Sequence, residues 1–111
     1  MTPSRRLTLL RPSEVADGSG GVVRGWVEVC GLWGEVKLRS GGARGGEWGA
    51  SERVRVRIAT RALPEGHPNR PRPGDRMRDG MRLWSVDAVA PEDGRGAWLR
   101  LFASSISEDE R

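Results

Sequence analysis

Glycine and proline interrupt this sequence along its whole length, with 16 glycines and 7 prolines among 111 residues. Both residues break regular helices, and no segment keeps apolar residues at the i, i+3, i+4, i+7 spacing over three turns. Helices should therefore be a minor part of the structure. Short strands joined by turns should make up most of it.

Alternation with a period of two is clearest in residues 53–58, Arg-Val-Arg-Val-Arg-Ile. Successive side chains of a strand point to opposite faces, so this segment should bury its valines and isoleucine on one face. The opposite face should then carry a row of guanidinium groups. This basic row consists of Arg53, Arg55 and Arg57.

Other strands are predicted from alternation and turn signals. A short strand at residues 7–9 and the glycine-rich turn at 17–21 should begin a hairpin. Residues 22–39 form either one long bent strand with bulges at Gly31 and Gly34, or two strands meeting at a corner. Asp79-Gly80 predicts a type I′ turn between residues 76–78 and 81–89, and a last strand covers 97–103.

The predicted fold class is all-β, a small antiparallel barrel or sandwich of about six short strands. Two long loops interrupt it, a glycine-rich one at residues 40–52 and a proline-rich one at 63–75. The chain is too short for two hydrophobic cores, so residues 1–111 should form a single domain. Residues 104–111 should form a short acidic tail.

Several classes of function are disfavoured by the residues present. No apolar run approaches the roughly 20 residues of a membrane span, and no signal peptide is evident, so we expect a cytoplasmic protein. The single cysteine and single histidine, Cys30 and His67, exclude a disulfide framework and a His/Cys zinc site within one chain. Phosphate-loop and dinucleotide-binding motifs are missing, so no cofactor, no metal and no enzymatic activity are expected.

The charge balance invites a nucleic-acid interpretation, since the chain has a net charge of +4 and a pI near 10.8. Two alternatives stay open: a well-solvated surface of mixed charge, or a functional basic face. Stacking on bases would need aromatic residues arranged together. The tryptophans are scattered instead, and Trp33, Trp84 and Trp98 should fill the core. Trp48, inside the glycine-rich loop, should contact a partner.

The order of several short motifs resembles the head-tail joining proteins of tailed bacteriophages, also called head-closure or stopper proteins. The resemblance is especially to the version found in gene transfer agents. The motifs are Asp-Gly-Ser-Gly-Gly at 17–21, Gly-Leu-Trp-Gly-Glu-Val at 31–36, Arg-Pro-Gly-Asp-Arg at 72–76, Asp-Gly-Met-Arg-Leu-Trp-Ser-Val at 79–86 and Trp-Leu-Arg-Leu at 98–101. The resemblance extends from residue 7 to residue 103.

This resemblance implies a structural protein that forms a homo-oligomeric ring. The ring would lie below the portal and its adaptor ring, dock a tail terminator or tail protein, and continue the channel through which DNA passes. The protein would be in the bacterial cytoplasm during assembly and then in the neck of the particle. The basic row would make non-specific contact with DNA or pair with a neighbouring subunit.

In relatives, the loop that matches residues 40–52 points into the channel and helps to retain DNA. Its glycines suit a loop that must move, because glycine adopts many backbone conformations without steric cost. The candidate channel or gating residues are Gly41, Gly42, Arg44, Gly45, Gly46, Trp48 and Gly49.

The alternative function comes from a different class of protein. A monomeric small barrel that binds single-stranded nucleic acid would also use a basic surface on an all-β scaffold. Its binding would depend steeply on salt concentration, because phosphate neutralisation releases counterions.

Overall fold

The computed structural model describes residues 5–40 and 53–106. No helix occurs within these ranges, and six strands account for most of them. The all-β prediction and the predicted number of strands are therefore confirmed. The strands are β1 (Arg5–Ala16), β2 (Val22–Ser40), β3 (Arg55–Arg61), β4 (Arg76–Asp79), β5 (Arg82–Pro91) and β6 (Trp98–Ser105).

The strands form a closed barrel in the order β1-β2-β3-β6-β5-β4, and every neighbouring pair is antiparallel. Closure depends on a short seam, in which Thr8, Leu9 and Leu10 of β1 pair with β4. A closed barrel has no free sheet edges, so aggregation through exposed edges is suppressed over the closed part. Of the two predicted architectures, the barrel is the one that forms.

The core follows the alternation that the sequence predicted. Val56 and Ile58 of β3 are buried, whereas Arg55 and Arg57 between and beside them are exposed. Leu7 and Leu9 of β1 and Leu101 of β6 also have no exposed surface. Burying one such aliphatic side chain contributes about 1.5–3 kcal/mol. The apolar interior therefore fixes which face of β3 shows its arginines to solvent.

Strand β2 runs without a break for 19 residues, so the long-strand alternative is correct. The pairing of β2 with β1 shifts register opposite Leu9 and Leu10, and its pairing with β3 shifts between Leu38 and Ser40. Neither shift lies at Gly31 or Gly34, where bulges were predicted. Gly34 has a packing role instead. An added Cβ there would lie 3.0 Å from the Leu7 side chain and 3.1 Å from the Ala59 carbonyl oxygen.

The two predicted hairpin turns form, with one difference in turn type. Asp17 accepts hydrogen bonds from the backbone N–H groups of Ser19 and Gly21, which holds the first turn. In the second, Asp79 pairs with Arg82, so the loop residues are 80 and 81 rather than Asp79-Gly80. Only the first loop residue has a positive φ, 62°, whereas a type I′ turn needs two such residues.

A two-stranded arm extends beyond the barrel. β1 pairs with β4 only as far as Leu10, and β2 pairs with β3 only from Gly34 onwards. Residues 11–27, which we call the arm, therefore pair only with each other. Strand β1 was predicted to end at residue 9, and it continues through Pro12 to Ala16. Pro12 is tolerated because its edge of β1 no longer pairs with β4.

A buried ion pair lies where the arm leaves the barrel. Arg11 donates from Nε to Asp75 Oδ1 (3.1 Å) and from Nη2 to Asp75 Oδ2 (2.8 Å). The same guanidinium donates to the carbonyl oxygens of Pro68 and Arg70, and Asp75 also accepts the N–H of Arg72. These contacts fasten the proline-rich segment between β3 and β4 to β1.

The tryptophans only partly follow the sequence prediction. Trp84 is buried in the core as predicted. The prediction is wrong for Trp33, which is 56% exposed, because its neighbours Leu32 and Gly34 take the inward positions of β2. Trp98 is only half-buried, with the Arg61 guanidinium 5.0 Å from its ring centroid.

Replacing Asp75 by Asn should destabilise the protein by about 3 kcal/mol, because it leaves the Arg11 guanidinium largely buried without a countercharge. Equilibrium unfolding in urea measures this loss. The control is Glu14→Gln, which breaks the exposed pair with Arg24 and should change the unfolding free energy by less than about 1 kcal/mol. Equal effects of the two substitutions would contradict the structural role of Asp75.

Candidate functional site

The predicted site residues fall into two groups. Arg55 and Arg57 lie on the outer face of β3, and both are exposed. Arg53 lies just before the strand and donates to the Ser105 carbonyl oxygen at 3.4 Å. The candidate gating residues lie outside the described part of the chain: Gly41, Gly42, Arg44, Gly45, Gly46, Trp48 and Gly49.

Arg55 and Arg57 belong to a larger basic surface on the outer side of β2, β3 and β6. Cross-strand pairing brings Lys37, Arg57 and Phe102 side by side. Arg100 lies two residues before Phe102 on β6 and faces the same side of the sheet. Three carboxylates lie at or near the border of this basic surface: Glu35, Asp87 and Glu92. We call this surface the basic face; its cationic residues are Lys37, Arg39, Arg55, Arg57, Arg61 and Arg100.

Two of these cations are neutralised and others are not. Lys37 Nζ lies 3.2 Å from Glu35 Oε1, and Arg100 holds Glu92 through two hydrogen bonds of 2.6 and 3.0 Å. The hydrogen bonds from Arg100 hold the pKa of Glu92 below its usual range, so this carboxylate is charged at neutral pH. Within residues 5–40 and 53–106, neither Arg55 nor Arg57 forms an ion pair.

Aromatic rings on the basic face are covered by arginine side chains. The guanidinium carbons of Arg39 and Arg100 lie 5.2 and 5.9 Å from the Phe102 ring centroid. Arg61 stands over Trp98 in the same way. Such cation–π contacts hold the guanidinium groups in place. They also occupy ring faces that a stacked nucleobase would need, so the arrangement does not favour the single-stranded nucleic-acid alternative.

The opposite wall of the barrel has a different charge pattern. There, Arg5 pairs with Asp79 and Arg78 pairs with Glu28. Arg76 lies over the Trp26 ring, 4.0 Å from its centroid. Arg5 and Arg78 of this wall are thus neutralised by ion pairs, which Arg55 and Arg57 do not form among the described residues.

The acidic residues near the turns of the chain have two different roles. Asp93 accepts the N–H of Arg95 as a turn residue does. Asp75, Asp79 and Glu92 instead bind arginines that are distant along the chain or on another element. Barrel closure between β1 and β4 brings Asp75 and Asp79 to their arginines, whereas the β5–β6 hairpin brings Glu92 to Arg100.

The described residues that could take part in catalytic or metal chemistry are Cys30, His67 and the carboxylates. No group of three or more His, Cys, Asp and Glu side chains is placed to hold a metal ion in this part of the chain. Burial raises the pKa of the Cys30 thiol, which keeps it in the unreactive protonated form. The described ranges also contain no helix long and apolar enough to cross a membrane.

Comparison with known proteins agrees with this architecture. The model of the phage head completion protein family matches residues 2–106. A chain from the virion of a native gene transfer agent particle is 39% identical, with a TM-score of 0.76 over 92% of this chain and 93% of that one. A protein of Shigella flexneri 2a solved in solution shares the fold, with a TM-score of 0.69 at 18% identity over 95% and 94% of the two chains. Curated proteins gave no significant match.

One family model matches nearly the whole chain, which forms a closed barrel. This match identifies a structural protein of virion assembly. The chain belongs to the phage head completion protein family. The resemblance found in the sequence is thereby confirmed. The match to a gene transfer agent chain along almost its full length agrees with the version identified there.

The Glu92–Arg100 pair makes a pH-dependent contribution to stability. Because folding lowers the pKa of Glu92, its contribution is present above the pKa of an unfolded glutamate and is lost as pH falls through the lowered value. Glu92→Gln should therefore lower the melting temperature slightly at pH 7, and this deficit should shrink as the pH falls below about 4. Thermal unfolding followed across this range checks the sign, and a deficit that grows at low pH would contradict it.

Proposed function

We propose that this protein is a head-tail connector, a stopper or head-closure protein that forms a ring below the portal and its adaptor. In this role it retains packaged DNA and docks the tail. Membership of the head completion family supports a place in the particle. The similarity to a chain of a gene transfer agent virion supports the same context. The particle neck is its proposed final location, after assembly in the bacterial cytoplasm.

The observation that carries the DNA part of the proposal is the row of exposed arginines on the outer face of β3. Arg55 and Arg57 have no ion-pair partner among the described residues, while Arg5 and Arg78 on the other wall are paired. A ring repeats this basic face once per subunit. Repetition converts a moderate charge into a strongly positive lining, which suits non-specific contact with phosphates.

We place the basic face toward the channel and not toward a neighbouring subunit. The guanidinium groups of Arg39 and Arg61 on this face are held by aromatic rings and need no partner carboxylate for a fixed position. Backbone phosphates can accept hydrogen bonds from them whatever the DNA sequence. Such contacts let DNA slide, which passage through a channel requires.

Replacing both Arg55 and Arg57 by Gln should weaken binding of assembled protein to duplex DNA, and lower the slope of log Kd against log salt by about 2 per subunit. Fluorescence anisotropy from 50 to 300 mM NaCl gives both values. Arg82→Gln with Arg95→Gln is the matched control, because it removes the same charge from exposed positions outside the basic face. Equal losses in the two variants would contradict a specific DNA-facing wall.

The glycine-rich segment, residues 40–52, is our proposed gate. The strand ends that flank it, Ser40 and Arg55, lie at the end of the barrel opposite the arm. One end of the barrel would thus carry the gate and the other the arm. Five glycines in this segment would let it change conformation at low steric cost.

Shortening residues 41–49 to a two-residue Asn-Gly turn should leave head assembly intact and release DNA before the tail attaches. Nuclease-protected DNA in tailless heads measures retention. The control keeps residues 41–49 at full length and changes every residue among them except the glycines to serine. Full DNA retention by heads carrying the shortened protein would contradict the gating role.

A further inference from the structure

The arm carries an apolar face that no other part of the described chain covers. Register places Val15 opposite Val23, and Val27 opposite Arg11, on one face of the ribbon. We call these three valines the valine face. Val15 is 64% exposed, Val23 59% and Val27 47%. A two-stranded ribbon has no second layer, so it cannot bury such a face itself.

The valine face continues the inner surface of the barrel. Leu7 and Leu9, further back on β1, are at the same phase of the alternation as Val15 and are fully buried. The pattern that builds a core is thus maintained beyond the point where β4 and β3 stop pairing. An apolar surface of this kind on a soluble protein marks a place where another layer packs.

A matching groove lies at the same end of the barrel but on the opposite side. It is formed by the end of β3, the start of the proline-rich segment and the β5–β6 turn, and encloses about 470 Å³. Its apolar lining is provided by Leu63, Pro64, Pro91, Trp98 and Leu99. We call it the end groove.

The barrel order sets the arm and the end groove apart. In the order β1-β2-β3-β6-β5-β4, β1 lies opposite β6 and β2 lies opposite β5. The arm is made of β1 and β2, and the β5–β6 turn forms one wall of the end groove. A head-to-tail contact joins two different surfaces, and it can generate a ring when these surfaces lie on opposite sides of each protomer.

The arm is also long enough to reach a neighbour. From Arg11 to Asp17 it spans six residue steps, or about 20 Å at the rise of a strand. It is stiffened at its base, where Arg11 is fixed by Asp75 and by two carbonyl groups of the proline-rich segment. The same segment supplies Leu63 and Pro64 to the end groove, so both contact surfaces are fixed to one piece of chain.

We propose that the valine face of the arm packs into the end groove of the next copy in the ring, an inference that rests on the ring proposed above. Each subunit gives its arm to one neighbour and receives an arm from the other. The contact is mainly apolar and lies at one end of the barrel, which leaves Arg55 and Arg57 of the basic face free to line the channel.

Cysteine cross-linking tests which surfaces meet. In a full-length Cys30→Ser background, one batch carries Val23→Cys and another carries Pro91→Cys, and the two are mixed and treated with a short bis-maleimide. A covalent dimer that needs both batches is the expected result. The control mixes Val23→Cys with Arg82→Cys, which lies at the other end of the barrel and should give no product. Cross-linking of the control pair in place of the test pair would overturn the proposal.

The oligomeric state separates this inference from the proposed function. Rings seen by mass photometry or electron microscopy of connectors, without the Val23–Pro91 cross-link, would overturn the arm contact and leave the ring proposal intact. An absence of rings from both free protein and isolated connectors would overturn both.

A second variant measures the contribution of the valine face. Val15→Thr with Val23→Thr keeps the branched shape but adds hydroxyl groups, and should weaken ring formation at least tenfold with the melting temperature of the monomer nearly unchanged. Val22→Thr is the matched control, since Val22 is 50% exposed on the other face of the arm, and it should leave assembly unaffected. Equal assembly by both variants would overturn the proposal.

Discussion

The ion pair between Arg11 and Asp75 joins the parts of this molecule that would otherwise be independent. The barrel closes through only three residue pairs between β1 and β4, and Arg11 follows directly after them. Asp75 directly precedes β4 and is almost fully buried. Burying two charges is costly unless all their hydrogen-bonding groups are satisfied. Here the carbonyl groups of Pro68 and Arg70 complete the guanidinium shell, so the pair fixes the seam, the proline-rich segment and the base of the arm together.

Charge pairing divides the surface of the barrel into two walls. Near the seam, Arg5 and Arg78 form ion pairs, whereas Arg55 and Arg57 of the β2-β3-β6 wall form none among the described residues. A single subunit should bind DNA only weakly through these unpaired arginines, because its net charge is only +4. A closed ring of such subunits would gather the unpaired charge around one axis. The same closure gives the exposed arm a neighbour to pack against.

Local patterns predicted the elements well, because strand alternation and turn chemistry are properties of short segments. The Arg-Val repeat of β3 gave both its buried face and its exposed arginines correctly. The Asp17 turn formed as expected. Errors arose where the phase of a strand depends on a distant partner. Trp33 faces solvent because the pairing of Leu32 with Leu7 sets the inward positions of β2. The hairpin was expected, but its extension beyond the barrel was missed because its valines look like core residues in sequence.

The sequence by itself determined the all-β class, the number of strands and the family, since these follow from alternation, glycine and proline placement, and the order of short motifs. Tertiary structure alone decided which acidic side chain meets which arginine, and which apolar residues remain outside the core. The reason is that Arg11 and Asp75 are 64 residues apart and meet only when β1 pairs with β4. Likewise, Val15 is exposed only because the barrel closes before the strand ends.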